Sequence, residues 1–317
     1  MVINRNPEYF LTIAQERSIS RAAEKLYVSQ SSLSQYLAKL ESALEVKLFD
    51  RSKSPIQLTE AGRVYQSYLE SNSHLYQKLQ SDLNGLNSSR SQAINIGLGT
   101  WRGNLLLPEI LPTFLSQHPN AQVSLHEFPV SELFALTLNE TVDFAVMNTT
   151  VTGIPDSLVQ EVIAHERILL VMQRSSPAAQ ALLASREAGR PVDLRLLQSE
   201  RFISLNRSLT VGRHVSNFLE RNLLFFPDRI YTTNNSTALS LTAKGLGFCF
   251  LVETGLSDAM ARPELAVFDL RSQDLMIPLS LIYKKNSYRS PLVQDAMALV
   301  RDHYLELIRR NAPIQFA

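Results

Sequence analysis

Cysteine is almost missing from this chain: Cys249 is the only one in 317 residues. A single thiol makes neither an internal disulfide nor a thiolate metal cluster, and its apolar setting from Gly247 to Val252 predicts a buried strand in a protein of a reducing compartment. Long hydrophobic runs are missing too. No stretch of eighteen apolar residues occurs, and the N-terminus has no basic leader followed by an apolar core and a small-residue cleavage site. A cytoplasmic protein without a membrane partner is therefore expected. Charge of one sign is not in excess, since 31 Lys+Arg stand against 30 Asp+Glu for a formal +1. Any nucleic-acid footprint must then be local. There is no Gly-x-Ser-x-Gly elbow, and the six histidines (His74, His118, His126, His165, His214 and His303) show no i, i+4 metal spacing. Cys249 has no base near it in sequence. No catalytic residue, metal or cofactor is expected, and the chain is read as a non-enzyme. What is present, 45% apolar and 19% charged residues, makes an ordinary globular chain of two or three domains.

The segment Asn87 to Gln92 (NSSRSQ) divides the chain. Before it the pattern is helical, and after it strands and helices alternate as in an α/β fold with largely parallel sheets. Pro7 opens a first helix ending near Arg17, and Ser18 or Ser20 can cap a second that buries Ala22, Ala23 and Leu26. Ser29 starts a third at Gln30, with Leu33, Leu37, Leu40 and Leu44 on its inner stripe. Ser31, Ser32, Ser34, Gln35, Tyr36 and Lys39 are read as the polar face, of the kind a helix needs to read base edges in the DNA major groove. The next segment, DRSKSPIQLT, predicts a short basic hairpin. Its Arg51 and Lys53 can hold phosphates, which supply affinity more than discrimination. Residues 1–60 carry eight basic and seven acidic side chains, so a few well-placed cations must do this work.

The ordered set Ala22, Ala23, Leu26, Ser29, Gln30, Ser34, Leu40, Glu41, Leu44, Leu48, Phe49, Arg51, Leu58, Thr59 and Gly62 resembles the winged helix-turn-helix of the LysR-type transcriptional regulators. The family often has Pro at the place of Ser31, a basic residue at Gln35 or Ala38, and Gly at Glu45. The resemblance implies double-stranded DNA as partner, read through Ser29, Gln30, Ser31, Ser32, Ser34, Gln35, Tyr36, Lys39, Arg51 and Lys53. It also implies a small-molecule effector, self-association as a dimer or tetramer, and contact with RNA polymerase.

From Thr59 a helix is expected to run to about residue 86. Tyr65, Leu69, Asn72, Tyr76, Leu79, Leu83 and Leu86 recur at spacings of four and three, a coiled-coil seam whose single amide, Asn72, can set register. A partner helix is implied, as for the LysR-type linker, and two-fold symmetry would match an inverted-repeat site. A long helix packed on its own chain gives the same pattern.

The second half opens as strand, glycine turn and helix. Gly97, Gly99 and Gly103, with Glu127 further on, mimic a dinucleotide-binding turn. The G-x-G-x-x-x-G spacing argues against it, as do Pro108 and Pro112, which are expected to break the helix behind it. The resemblance implies instead a two-lobed Rossmann-like α/β effector domain of the type 2 periplasmic-binding-protein kind. The organisation expected is a DNA-binding domain at 1–58, a linker helix at 59–87, lobe I at 93–161 and 269–317, and lobe II at 162–268. The chain would cross between lobes near Val162 and again at 267–270. Effector contacts are expected after strand ends and at helix starts: Thr100, Trp101, Arg102, Thr149, Asn206, Ser208, Thr210, Asn235 and Ser236. Trp101 reads as a plug of the lobe rather than a stacking platform, with both open, and Arg102 equally as an anion contact or a structural arginine. On the residues alone two other readings stay open: a small-molecule binding protein whose N-terminal domain only dimerises, and an oxidoreductase using the glycine turn.

Overall fold

The computed structural model describes residues 6–53, 55–85, 92–149, 153–255 and 262–311. The chain forms two compact units, 1–80 and 81–317.

In the first unit, α1 (Pro7–Glu16) stops at Arg17 in the left-handed conformation, and α2 (Ile19–Lys25) is capped by Ser18, whose side chain accepts from the Arg21 amide. α3 (Gln30–Leu44) is capped in the same way by Ser29, which accepts from the Ser32 amide at 3.1 Å. Both caps use a short hydroxyl at the one place where helical amides lack partners. A two-residue hairpin follows, β1 (Phe49–Asp50) paired antiparallel with β2 (Gln57–Leu58). Thr59 then caps α4 (Glu60–Gly85): its hydroxyl donates to the Lys47 carbonyl and accepts from the Gly62 amide. Gly62 has to be glycine, since a Cβ there would overlap the Leu48 carbonyl oxygen. The core of the unit is Phe10, Ile13, Ala22, Ala23, Leu33, Leu37, Leu40, Leu48 and Phe49, closed by Tyr65 and Leu69 of α4.

α3 ends on Glu45 at φ 55°, a left-handed position that suits glycine because it has no Cβ to crowd the carbonyl. Glu45 is exposed, so its side chain gains little there. Glu45→Gly is expected to stabilise this unit by about 0.5–1 kcal/mol. Urea unfolding of the full chain followed by circular dichroism checks it, and a lowered midpoint would show that the cap carries no strain.

The second unit is built on one mixed sheet. Its strands are β3 (Gln92–Leu98), β4 (Ala121–Glu127), β5 (Phe144–Asn148), β6 (Leu158–Gln173), β7 (Phe202–Leu205), β8 (Arg229–Thr232), β9 (Phe248–Val252), β10 (Leu265–Phe268) and β11 (Met276–Lys284). They lie in the order β4-β3-β5-β11-β6-β9-β7-β8, with β10 beside β6. The outer pairs β3–β4, β3–β5, β7–β8 and β7–β9 are parallel. The expectation of largely parallel sheets fails in the middle, where β11 is antiparallel to β5 and β6, and β6 is antiparallel to β9 and β10. The reason is β6 itself. It runs straight through, pairing β11 over residues 158–167 and β9 over 168–172, so the crossing expected near Val162 is the middle of one sixteen-residue strand.

Helices cover both faces. α5 (Thr100–Gln117) and the C-terminal α10 (Pro291–Asn311) share one core with β3, β5 and β11, while α6 (Val130–Leu138) lies on the opposite face. Along the second half of β6, α7 (Pro177–Glu187) and α8 (Thr210–Arg221) pack on Ile168, Leu170 and Met172, and α9 (Asn235–Ala243) packs on Leu169 and Val171. That alternation is the two-residue period of a strand buried on both sides. Pro108 and Pro112 do not break α5, contrary to expectation. Both sit on its exposed side one turn apart, where water can take the carbonyls that lose a partner.

Candidate functional site

The N-terminal unit presents one polar helix face and one cationic hollow. On α3, Gln30, Ser31, Ser32, Gln35 and Lys39 are exposed and Ser34 is half-buried. The Ser29 hydroxyl bonds to those of Ser31 and Ser32 at 2.9 and 2.8 Å around the helix start. Tyr36 departs from the expected set. It borders the leucine stripe, so its ring turns inward and meets Tyr9 edge-on at 5.3 Å. Burial raises its phenol pKa.

The hairpin is held to α3 by one buried carboxylate. Glu41 Oε1 accepts from the amides of Leu48 (2.9 Å) and Phe49 (3.3 Å), and Oε2 accepts from Lys47 Nζ (3.1 Å) and Arg51 Nη2 (3.3 Å). Burial opposes its charge, but the Leu48 amide, Lys47, the Phe49 amide and Arg51 together outweigh that and hold it below the usual carboxylate range. Arg51 is thereby fixed while staying nearly half exposed. Beside it lies an open hollow of about 640 Å³ lined by Arg17, Ser18, Ile19, Arg21, Arg51, Pro55 and Ile56. The hairpin is tied there by the Ile56 amide, which donates to the Arg17 carbonyl, and Arg21 is oriented by donating to the Glu16 carbonyl. Among the described residues of this unit, four other cations are paired with carboxylates, Lys25 with Glu16, Lys47 with Glu41, Lys53 with Asp50 and Arg63 with Glu60, while Lys39 stands exposed on α3. Sequence reasoning passed over Arg17 and Arg21. Their signal is a helix end and a helix start flanking Ser18, which a hairpin from forty residues on closes into one site.

On α4 the expected seam divides. Tyr65 and Leu69 belong to the unit's own core, with Tyr65 4.8 Å from Phe10 ring to ring. Periodicity marks an apolar face but not which neighbour covers it. Asn72, Tyr76, Leu79 and Leu83 are exposed, as are Val64, Tyr68 and Leu75. Leu86 lies outside the described residues.

In the second unit, the expected effector residues do stand at strand ends and helix starts, but most have internal partners. Thr149 is buried after β5 and its amide bonds the Pro278 carbonyl at 3.3 Å. Asn206 Oδ1 accepts from the Ser208 amide at 2.9 Å, and Ser208 is exposed. Thr210 opens α8 and its carbonyl lies 3.1 Å from His214 Nδ1. Asn235 and Ser236 open α9, and Asn235 Oδ1 is buried with no partner among the described residues. Thr100, at the start of α5, is exposed.

Trp101 and Arg102 point inward. Trp101 packs against both cores built on residues 168–172 of β6, and its indole lies so close on Gly255 that a Cβ there would overlap it. Arg102 is buried. Its Nη1 donates to the Tyr304 hydroxyl (2.9 Å), and its Nη2 donates to Glu166 (3.0 Å) and to Asn148. Burial lowers the pKa of this guanidinium, but Glu166 and the Tyr304 oxygen more than offset it and the net shift is upward. Glu166 also accepts from Asn148 and from the Thr254 hydroxyl. The next residue of β6, Arg167, pairs with Glu253 at 2.7 Å and Asp269 at 3.1 Å. At the glycine turn, the Glu127 carboxylate presses on Gly103. A carboxylate at that spot repels a pyrophosphate rather than receiving one. Cys249 is buried in β9, and burial pushes its thiol up to about 12.

Comparison with known proteins agrees with this geometry. Residues 5–63 match the model of the bacterial regulatory helix-turn-helix proteins of the lysR family, and residues 87–305 match the LysR substrate binding domain. A probable RuBisCO transcriptional regulator of Thalassiosira pseudonana is 28% identical, over 89% of this chain and 91% of its own. One from Synechocystis sp. is 29% identical, over 88% of this chain and 79% of its own. Among solved structures, full-length CbnR complexed with its target DNA superposes with a TM-score of 0.65 at 21% identity, covering 94% of this chain and 98% of that one. With both models matched in order along most of its length, the chain belongs to the LysR family, as a DNA-binding transcriptional regulator that carries an effector-binding domain.

Proposed function

We propose that Gln30, Ser31, Ser34, Gln35 and Lys39 of α3 read base edges in the major groove, while Arg17, Arg21, Arg51 and Lys53 hold the flanking phosphates. The observation that carries this reading is the hollow at the hairpin, where three arginines converge on one side of a domain with almost no net charge. Tyr36 is assigned to packing. Two copies would pair through the exposed part of α4, along Tyr68, Asn72, Leu75, Tyr76, Leu79 and Leu83, rather than through Tyr65 and Leu69. At about 39 Å, α4 is long enough to carry that contact away from the reading head. A pair of heads suits an inverted repeat. Lobe I (93–161 and 269–317) and lobe II (162–268) would meet at the middle of β6, and an effector would favour one arrangement of the assembly in the cytoplasm, where RNA polymerase also works.

The test is binding, at two salt concentrations, of a DNA site selected by the wild type from a random pool and of unselected DNA. Gln35→Ala with Lys39→Ala should weaken the selected site by about 1–3 kcal/mol and leave unselected DNA nearly unchanged. Arg17→Ala with Arg21→Ala should weaken both and reduce the salt slope by about two. Equal effects of the two pairs on the two DNAs would overturn the division of roles.

A further inference from the structure

The feature that the proposed function leaves unused is the buried cluster where β6 crosses the sheet. Glu166 is fully buried, and its two oxygens receive Arg102, Asn148 and Thr254. These groups come from separate places: the first turn of α5, the end of β5 and the turn after β9. A guanidinium, an amide N–H and a hydroxyl converging on one buried point form the donor set that a free carboxylate would seek in a ligand pocket. Here the chain supplies the carboxylate itself. One residue away on α5, Trp101 closes the same region by lying on Gly255, next to Thr254.

We propose that this is a carboxylate-binding site occupied from within, in which Glu166 stands where a carboxylate effector would sit and holds α5 to the turn after β9 without added ligand. Two consequences follow. The protein does not use Arg102 to sense small carboxylates, because the position is taken and a competitor would have to bury a second anion beside Glu166. An effector would instead act through the exposed neutral groups of Thr100, Asn206, Ser208 and Ser236, or by loosening the clasp. The inference concerns the effector domain alone and is independent of how DNA is read.

The molecule provides its own reporter, since Trp101 is its only tryptophan. Glu166→Ala removes the equivalent of one acetate beyond Cβ. The full-length variant and wild type are to be titrated with acetate, propionate and acetamide at constant ionic strength, following Trp101 emission and the melting temperature. In the variant, emission is expected to shift to the red and Tm to fall by roughly 5 °C or more. Acetate should restore both saturably, propionate less and acetamide not at all, while wild type stays unresponsive. An unchanged Tm and emission in the variant, rescue by acetamide equal to that by acetate, or a saturable acetate response of wild type would each overturn the proposal. Glu166→Gln covers the case in which the alanine variant does not fold. Its amide fills the position and keeps an acceptor for Arg102, so it should be destabilised by the lost counter-charge yet ignore acetate, and an acetate response there would also overturn the assignment.

Discussion

Arg102→Ala is expected to cost the effector domain about 3–5 kcal/mol, the range found when one member of a buried ion pair is removed and the other charge is left behind. The magnitude follows from what remains. Glu166 keeps Asn148 and Thr254 but loses the only cation bonded to it among the described residues, and it is fully buried. Tyr304 loses the donor to its hydroxyl and the guanidinium that lies 5.2 Å over its ring. The loss should be read in calorimetry or urea unfolding as destabilisation of the second unit, with Trp101 emission reporting the same transition. A double variant, Arg102→Met with Glu166→Gln, distinguishes the stranded charge from lost packing. It should be more stable than Arg102→Ala, because no charge is then left unpaired in the interior. If the double variant is the less stable of the two, the cluster is a packing unit and its charges are incidental.

This cluster also marks where sequence reading stops. Arg102 and Glu166 are 64 residues apart, and nothing local to either announces the other. Arg102 at a helix start had therefore to stand for either an anion contact or a structural arginine, and only the path of β6 through the sheet decides. Elements whose information is local were legible: Ser18 and Ser29 before their helices, the stripe Leu33, Leu37 and Leu40, and the alternating hairpin ending at Leu58. Three departures from the expected placement have a common cause. Tyr65 and Leu69 carry the right period for a coiled coil, Tyr36 sits beside the right polar face, and Pro108 with Pro112 are ordinary helix breakers. In each, local pattern gives the type of element, whereas the packing partner or the solvent side decides what the residue does there.

Glu41→Ala is the second large effect, and it joins stability to DNA binding. Glu41 is buried at the end of α3 and satisfies the amides of Leu48 and Phe49, which have no side chain to replace it once truncated. Two buried donors left unmade, at about 1–3 kcal/mol each with partial rehydration, put the cost near 3 kcal/mol. The ion pairs with Lys47 and Arg51 add little, because both cations are well exposed and water screens them. Glu41→Gln keeps an acceptor for those amides and should retain most of the stability. The pH dependence separates charge from shape. A carboxylate held below its ordinary pKa stabilises the fold fully above about pH 4.3, and that contribution is lost as pH falls through the depressed value. Wild type should therefore lose stability in acid more steeply than Glu41→Gln, while the two differ by a constant amount from pH 6 to 8. For DNA, loss of Glu41 frees Arg51 and the hairpin from α3, so affinity should fall for selected and unselected DNA alike. Specificity lost with affinity for unselected DNA intact would mean instead that Glu41 shapes the reading face of α3 and that the hairpin stands without it.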